Sequence, residues 1–126
     1  MTQYRLIKLI GFPSDAGREL SNALARAGFE TSSQADARGL CTEPAAVFVC
    51  GDRPGWLETV RQVRDLYSRV FLVVAARQPD YEKWLSALAA GADDFCCPPL
   101  DAQQLRWLFR RGGNAEPVQT IFAKAE

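Results

Sequence analysis

Two uninterrupted apolar runs, AAVFVC at Ala45–Cys50 and VFLVVA at Val70–Ala75, constrain this chain most. Each has the length of a strand and offers no polar residue to water. That pattern marks strands buried on both faces. A sheet covered on both sides needs helices above and below it, and parallel strands need crossover connections that supply them. The rest of the chain reads as such units. Tyr4–Ile10 is a first strand, Phe29–Ser33 a weak, polar strand suited to a sheet edge, and Asp94–Cys97 a fifth. A helix opens at Pro13 and Ser14, with Ser14 as N-cap. Its apolar face is Leu20, Ala23, Leu24 and Ala27, and Gly28 ends it. Ala37–Glu43 has room for at most two helical turns before Pro44. After the turn GDRPG (Gly51–Gly55), Trp56, Val60, Val63 and Tyr67 keep a helical core spacing. Tyr81, Leu85, Leu88 and Ala89 mark the next helix, with Trp84 beside the stripe and Gly91 closing it. Asp101 opens the last helix, with Gln104 at capping-box spacing and Leu105, Leu108 and Phe109 towards the core. Right-handed crossovers then predict a doubly wound, three-layer α/β/α sandwich on a five-stranded parallel sheet.

Charge and cysteine usage narrow the function. Lys plus Arg and Asp plus Glu are both 15, so the formal net charge is zero. A neutral chain offers no field for nucleic acid or an anionic membrane. The longest apolar run, Val70–Ala76, is too short to span a bilayer. The N-terminal stretch is broken by Arg5 and Lys8 and lacks a signal-peptide layout, so a cytoplasmic protein is expected. The four cysteines (Cys41, Cys50, Cys96, Cys97) are expected as free thiols. No C-x-x-C occurs, so no metal site is expected. The absence of histidine removes the commonest general base. No catalytic residue, cofactor or enzyme activity is expected. Residues 1–111 read as one domain. Residues 112–126 begin with a Gly-Gly joint and read as a linker or the start of a following module.

In this fold, function collects outside the carboxyl ends of the strands. There a resemblance enters. ALAAGADDFCCPPLDAQQL, at Ala87–Leu105, resembles the closing segment of response-regulator receiver domains, as do Pro13–Glu30 and the Arg77 that follows VVAA. The likeness covers about Tyr4–Arg111. It implies a flavodoxin-like sheet in the order 2-1-3-4-5, here with a shortened second helix. Receivers hold Mg²⁺ on an acidic pair after the first strand and carry a phosphoryl group on an aspartate ending the third. A Thr or Ser after the fourth strand and a Lys after the fifth engage the phosphoryl oxygens. Carried over, the acidic pair becomes Gly11 and Phe12, the phosphoacceptor Cys50, the hydroxyl position Ala75 and the lysine position Pro98. Phosphoryl transfer needs a carboxylate nucleophile, a divalent cation and donors on the oxygens, and these positions supply none of them. Asp52, two residues past the acceptor position, has no neighbouring acid to share a cation. Asp15 reads as a partner of the first helix's dipole.

The resulting reading is a non-phosphorylatable, receiver-like module for protein interaction, in signalling or localisation. A homodimer through the fourth helix, fifth strand and fifth helix of the family's numbering is expected. Trp107 is the expected anchor, because it lies about 200° from Leu105 on the helical wheel and so should face outward. Trp84 is the second choice, with Arg106 and Arg110 as a polar rim. The alternative is a small-molecule or redox sensor using the crevice, with Cys50 and Arg53. Cys50 also reads simply as core packing. A Cys50–Cys97 disulfide is disfavoured, since the fourth strand lies between them. VQTIFAKAE (Val118–Glu126) resembles the opening strand of a further α/β unit. Atypical receivers of this kind precede MinD/ParA-type ATPases that localise Flp/Tad pilus assembly, which suggests a link to pilus assembly.

Overall fold

The structure, a computed structural model, describes residues 3–40 and 42–113, with side chains for 6–40 and 42–110. Among these described residues five strands run parallel: β1 (Gln3–Ile10), β2 (Glu30–Gln34), β3 (Pro44–Cys50), β4 (Phe71–Ala75) and β5 (Asp94–Cys96). Their order is β2-β1-β3-β4-β5. Among the described residues, four helices connect or follow them: α1 (Ser14–Arg26), α2 (Trp56–Leu66), α3 (Tyr81–Ala90) and α4 (Ala102–Gly113). This is the doubly wound α/β sandwich that the two apolar runs imply.

The runs are uninterrupted because both faces of β3 and β4 are covered. Ala46, Phe48, Val73 and Ala75 pack with Leu20 and Leu24 of α1 and Leu105 and Leu108 of α4. Val47, Val49, Leu72 and Val74 pack with Val60 and Val63 of α2 and Ala87 of α3. Phe109 closes the first cluster, with ring centroids 4.5 Å from Phe29, 5.4 Å from Phe71 and 6.0 Å from Phe48. Trp56 is half-buried against the second, in keeping with its core spacing.

The ends of the elements follow local chemistry. At α4, Gln104 N–H donates to Asp101 Oδ1 at 2.7 Å, and Asp101 N–H donates to Gln104 Oε1 at 2.9 Å, a reciprocal capping box. Gly91 closes α3 at φ +118°, a conformation that L side chains rarely adopt. The Arg64 side chain lies against it. Its Nε donates to Gly91 O at 2.9 Å, and its Nη1 donates to Tyr67 O, Ser68 O and Val70 O at 3.0 Å each. Arg64 Nη2 and Leu72 N–H both donate to Asp93 Oδ2 at 2.9 Å. The AGADD run is therefore the hinge point where α2, α3, β4 and β5 are fastened together.

Four expectations need correction. Ser14 is the first residue of α1 rather than its cap. Pro13 holds the N-cap position without a side-chain bond, and Asp15 Oδ1 accepts Ala16 N–H at 2.9 Å. The shortened second helix is not formed, because residues 35–39 make bends and a turn. Gln34 Nε2 donates to Asp36 O at 2.7 Å and Arg38 O at 2.8 Å, closing the chain before a helical turn can start. Leu40 is buried and covers the sheet there instead. The stripe of α3 points away from the core: Tyr81, Trp84, Leu85 and Leu88 are exposed, and Ala87 is the buried residue. Finally, α4 takes Gly112 and Gly113, expected in a joint, into its last turn. Segment 114–126, with Val118–Glu126, lies outside the described residues, as does Cys41.

Candidate functional site

Parallel strands end at one edge, and the register brings the singled-out positions to it. Cys50 pairs with Ala75, and Ala75 with Cys96. Phe12, Cys50, Ala75 and Pro98 line one crevice of about 550 Å³, with Asp52, Arg53 and Arg77 also on its wall. Gly11 lines a neighbouring cleft of about 390 Å³ that shares Cys50 and Arg53. The five positions aligned by the resemblance thus converge at the carboxyl edge of the sheet, and their side chains are a thiol and apolar groups.

Burial sets the thiol chemistry. It pushes the Cys50 thiol above its ordinary pKa, against the opposing hydrogen bond from Asp52 N–H. Burial also raises Cys97, with the Asp52 carboxylate adding to it. Cys96 is pushed up to about 12, by burial and then by Cys97. Neutral thiols are weak nucleophiles and poor metal ligands. Cys50, Cys96 and Cys97 are free. Cys50 and Cys96 sit two strands apart, roughly 10 Å, which is beyond disulfide reach.

The cation that receivers hold does not fit these residues. Gly11 has φ +84°, and its carbonyl accepts Arg53 Nη1 at 3.3 Å. A guanidinium therefore stands at the mouth of β1, where an acidic pair would bind the ion. Asp52 is already engaged. Its Oδ2 accepts Arg77 N–H at 2.9 Å, and its Oδ1 lies 3.8 Å from Lys83 Nζ. Mg²⁺ demands a set of oxygen ligands. Among the described residues, no group of three or more His, Cys, Asp or Glu side chains gathers to hold a metal.

The second feature is the surface of α3, β5 and α4. Tyr81 and Leu85 are 68% and 48% exposed, and Trp84 and Leu88 complete the row at i, i+3, i+4 and i+7. Tyr81 and Trp84 meet edge to face, with centroids 5.9 Å apart. Beside them, Phe95 and Cys97 line a recess of about 340 Å³. Arg106 and Arg110 are exposed, as expected. Trp107 is only half-exposed, contrary to its place on the wheel, which measures direction within α4 alone. Sequence reasoning missed Lys83 altogether. Its one signal was a place about 200° from Tyr81 on the wheel, on the inner face of α3. Among the described residues, no helix is long and apolar enough to cross a membrane.

No protein-family model and no curated protein sequence matches the chain. Solved structures do. A response-regulator receiver domain protein from Clostridium thermocellum is 16% identical with a TM-score of 0.73, over 87% of this chain and 94% of that one. A putative pilus assembly-related protein from Burkholderia pseudomallei is 15% identical with a TM-score of 0.74, over 88% and 90%. NtrX from Brucella abortus is 19% identical with a TM-score of 0.76, and the match covers 96% of this chain but 29% of NtrX. At such identities the likeness speaks for architecture. The chain has the fold of response-regulator receiver domains.

Proposed function

We propose that this domain is a non-phosphorylatable receiver-like module that works by constitutive protein–protein interaction, as a homodimer through α3, β5 and α4. The observation that carries this reading is the exposed apolar row Tyr81, Trp84, Leu85 and Leu88. A contiguous apolar strip on a helix of a small domain is costly in water and marks a contact surface. A second copy suits it by charge. Glu82 flanks the row on α3, while Arg106 and Arg110 lie on α4, and among the described residues none of the three is in an ion pair. In a two-fold, isologous contact any pairing of the α3 acid of one copy with the α4 bases of the other would be made twice. Trp84 and the row serve as anchors, with the two arginines as rim. Trp107, half-covered, contributes less than its wheel position promised.

Sedimentation velocity tests the surface. The wild type is expected to sediment as a dimer, Leu85→Glu as a monomer, and Trp107→Glu between the two. Equal masses for wild type and Leu85→Glu overturn the reading. The loss of phosphorylation has its own test. Incubation with acetyl phosphate and Mg²⁺ should add no phosphoryl mass, and a stable adduct on Asp52 refutes it.

The alternative, a ligand or redox sensor in the crevice, is supported by the crevice volume, which lies in the range of small-molecule sites. The raised thiol pKa of Cys50 opposes the redox form. A thermal-shift screen with nucleotides and oxidants separates the two. The link to pilus assembly draws on VQTIFAKAE and on the similar fold of the pilus assembly-related protein. It expects a reading frame that continues past Glu126 into a glycine-rich phosphate loop, and a stop codon there removes it. A cytoplasmic location belongs to the same proposal.

A further inference from the structure

The inner face of α3 carries an unusual inhabitant. Lys83 lies across the helix from the exposed row, and its side chain is 25% exposed. Its Nζ donates to Gly51 O at 2.7 Å, lies 3.8 Å from Asp52 Oδ1, and sits 6.0 Å from the centroid of the Trp56 ring. Asp52 in turn holds the loop after β4, because its Oδ2 accepts Arg77 N–H at 2.9 Å. The backbone agrees with this tie: Gly51 N–H donates to Ala75 O at 2.8 Å, and Ala76 N–H to Cys96 O at 3.0 Å. Asp80 Oδ1 caps the same helix by accepting Lys83 N–H at 3.0 Å. One lysine therefore fastens the first turn of α3 to the loop after β3, and one carboxylate fastens that loop to the loop after β4.

We infer that Lys83 and Asp52 are positioning residues for the docking face, a permanent brace that holds α3 in its associating position without any change at the crevice. The inference rests on the docking reading above. The brace is independent of the interface itself. Lys83 points inward, and Asp52 stands on the crevice wall behind α3. The strength of the brace comes chiefly from its two charge-assisted hydrogen bonds to backbone, Lys83 Nζ to Gly51 O and Arg77 N–H to Asp52 Oδ2, with the 3.8 Å charge pair between them adding less. The Gly91–Arg64 junction fixes the far end of α3, and Ala87 is the helix's buried residue, so the brace is what holds its first turn. Loss of either member of the pair should loosen the first turn, tilt Tyr81, Trp84 and Leu85 out of register, and weaken association from a distance.

The test uses the full chain and four variants: Lys83→Met, Asp52→Asn, their double, and Leu85→Glu. Dimer dissociation is measured by sedimentation, and α3 opening by hydrogen exchange. Lys83→Met and Asp52→Asn are each expected to weaken the dimer about tenfold and to raise exchange in residues 81–85 and at the Arg77 amide. The double should be no worse than the more severe single, because both act through one brace. Asp52→Asn guards against misfolding of the lysine variant, since it is nearly isosteric. If Leu85→Glu is monomeric while the brace variants dimerise and exchange as the wild type does, the brace is overturned and the docking reading stands. If Leu85→Glu keeps the wild-type mass, the docking reading fails first and the brace falls with it.

Discussion

Gly91→Ala probes the point where α2, α3, β4 and β5 are fastened. Two costs follow from the geometry. An L residue in left-handed backbone costs about 1–2 kcal/mol, and φ here is +118°. A Cβ would also stand 2.9 Å from Arg64 Cγ and 3.1 Å from Arg64 Cβ, so the arginine must move. That movement disturbs a side chain donating five hydrogen bonds, four of them to backbone carbonyls. Losing one or two of these costs roughly another 1–2 kcal/mol. The ion pair adds little, because Asp93 is 46% exposed. The sum is about 2–4 kcal/mol, measured as a lowered urea midpoint at unchanged m-value. The mechanism makes a second demand. In an Arg64→Ala background the Cγ contact and the hydrogen bonds are already gone and only the 3.1 Å contact to the Cβ of residue 64 remains, so Gly91→Ala should cost clearly less, close to the backbone share of about 1–2 kcal/mol. A cost below about 1 kcal/mol in the wild type, or an equal cost in both backgrounds, would refute the reasoning.

Two further outcomes are expected. Burial raises the Cys96 thiol from 9.0 to about 12, so folding favours its neutral form. The folded pKa lies above the unfolded one, and the contribution is therefore complete below pH 9 and lost as pH rises towards 12. Between roughly pH 8 and 11 the wild type should lose ~2 kcal/mol more stability than Cys96→Ala, and parallel profiles in denaturant titrations would contradict this. Cys50→Ala should cost about 1 kcal/mol or less, since little volume is lost, and should leave the dimer intact. A folded variant that no longer dimerises would point to a sensing role for the thiol.

The fold was legible in the sequence where the chemistry is local. Two apolar runs without a polar face require cover on both sides, and β3 and β4 are covered by α1 and α4 on one face and α2 and α3 on the other. The capping box at Asp101 was legible for the same reason, since both partners lie within one turn. The composition of the crevice was legible too, because each strand end follows from its strand, and parallel strands share an edge.

Tertiary structure decided the rest. Periodicity reports that one face of α3 is apolar but not what stands opposite it. With Ala87 against the sheet, the row Tyr81–Leu88 turned to solvent and became a candidate surface. The stretch between β2 and β3 had helix-compatible residues, yet the side chain of Gln34 closed it as a turn. Trp107 was assigned outward by an angle, yet in the folded domain it is only half-exposed. The brace is the clearest case. Lys83 meets Gly51 across 32 residues, a contact that exists only because the β3–α2–β4 crossover brings the start of α3 to the end of β3. By itself the sequence determines which groups are apolar, capped or charged. Which of them meet is decided by the register and handedness of the sheet, because those alone set the distances over which hydrogen bonds and charges act.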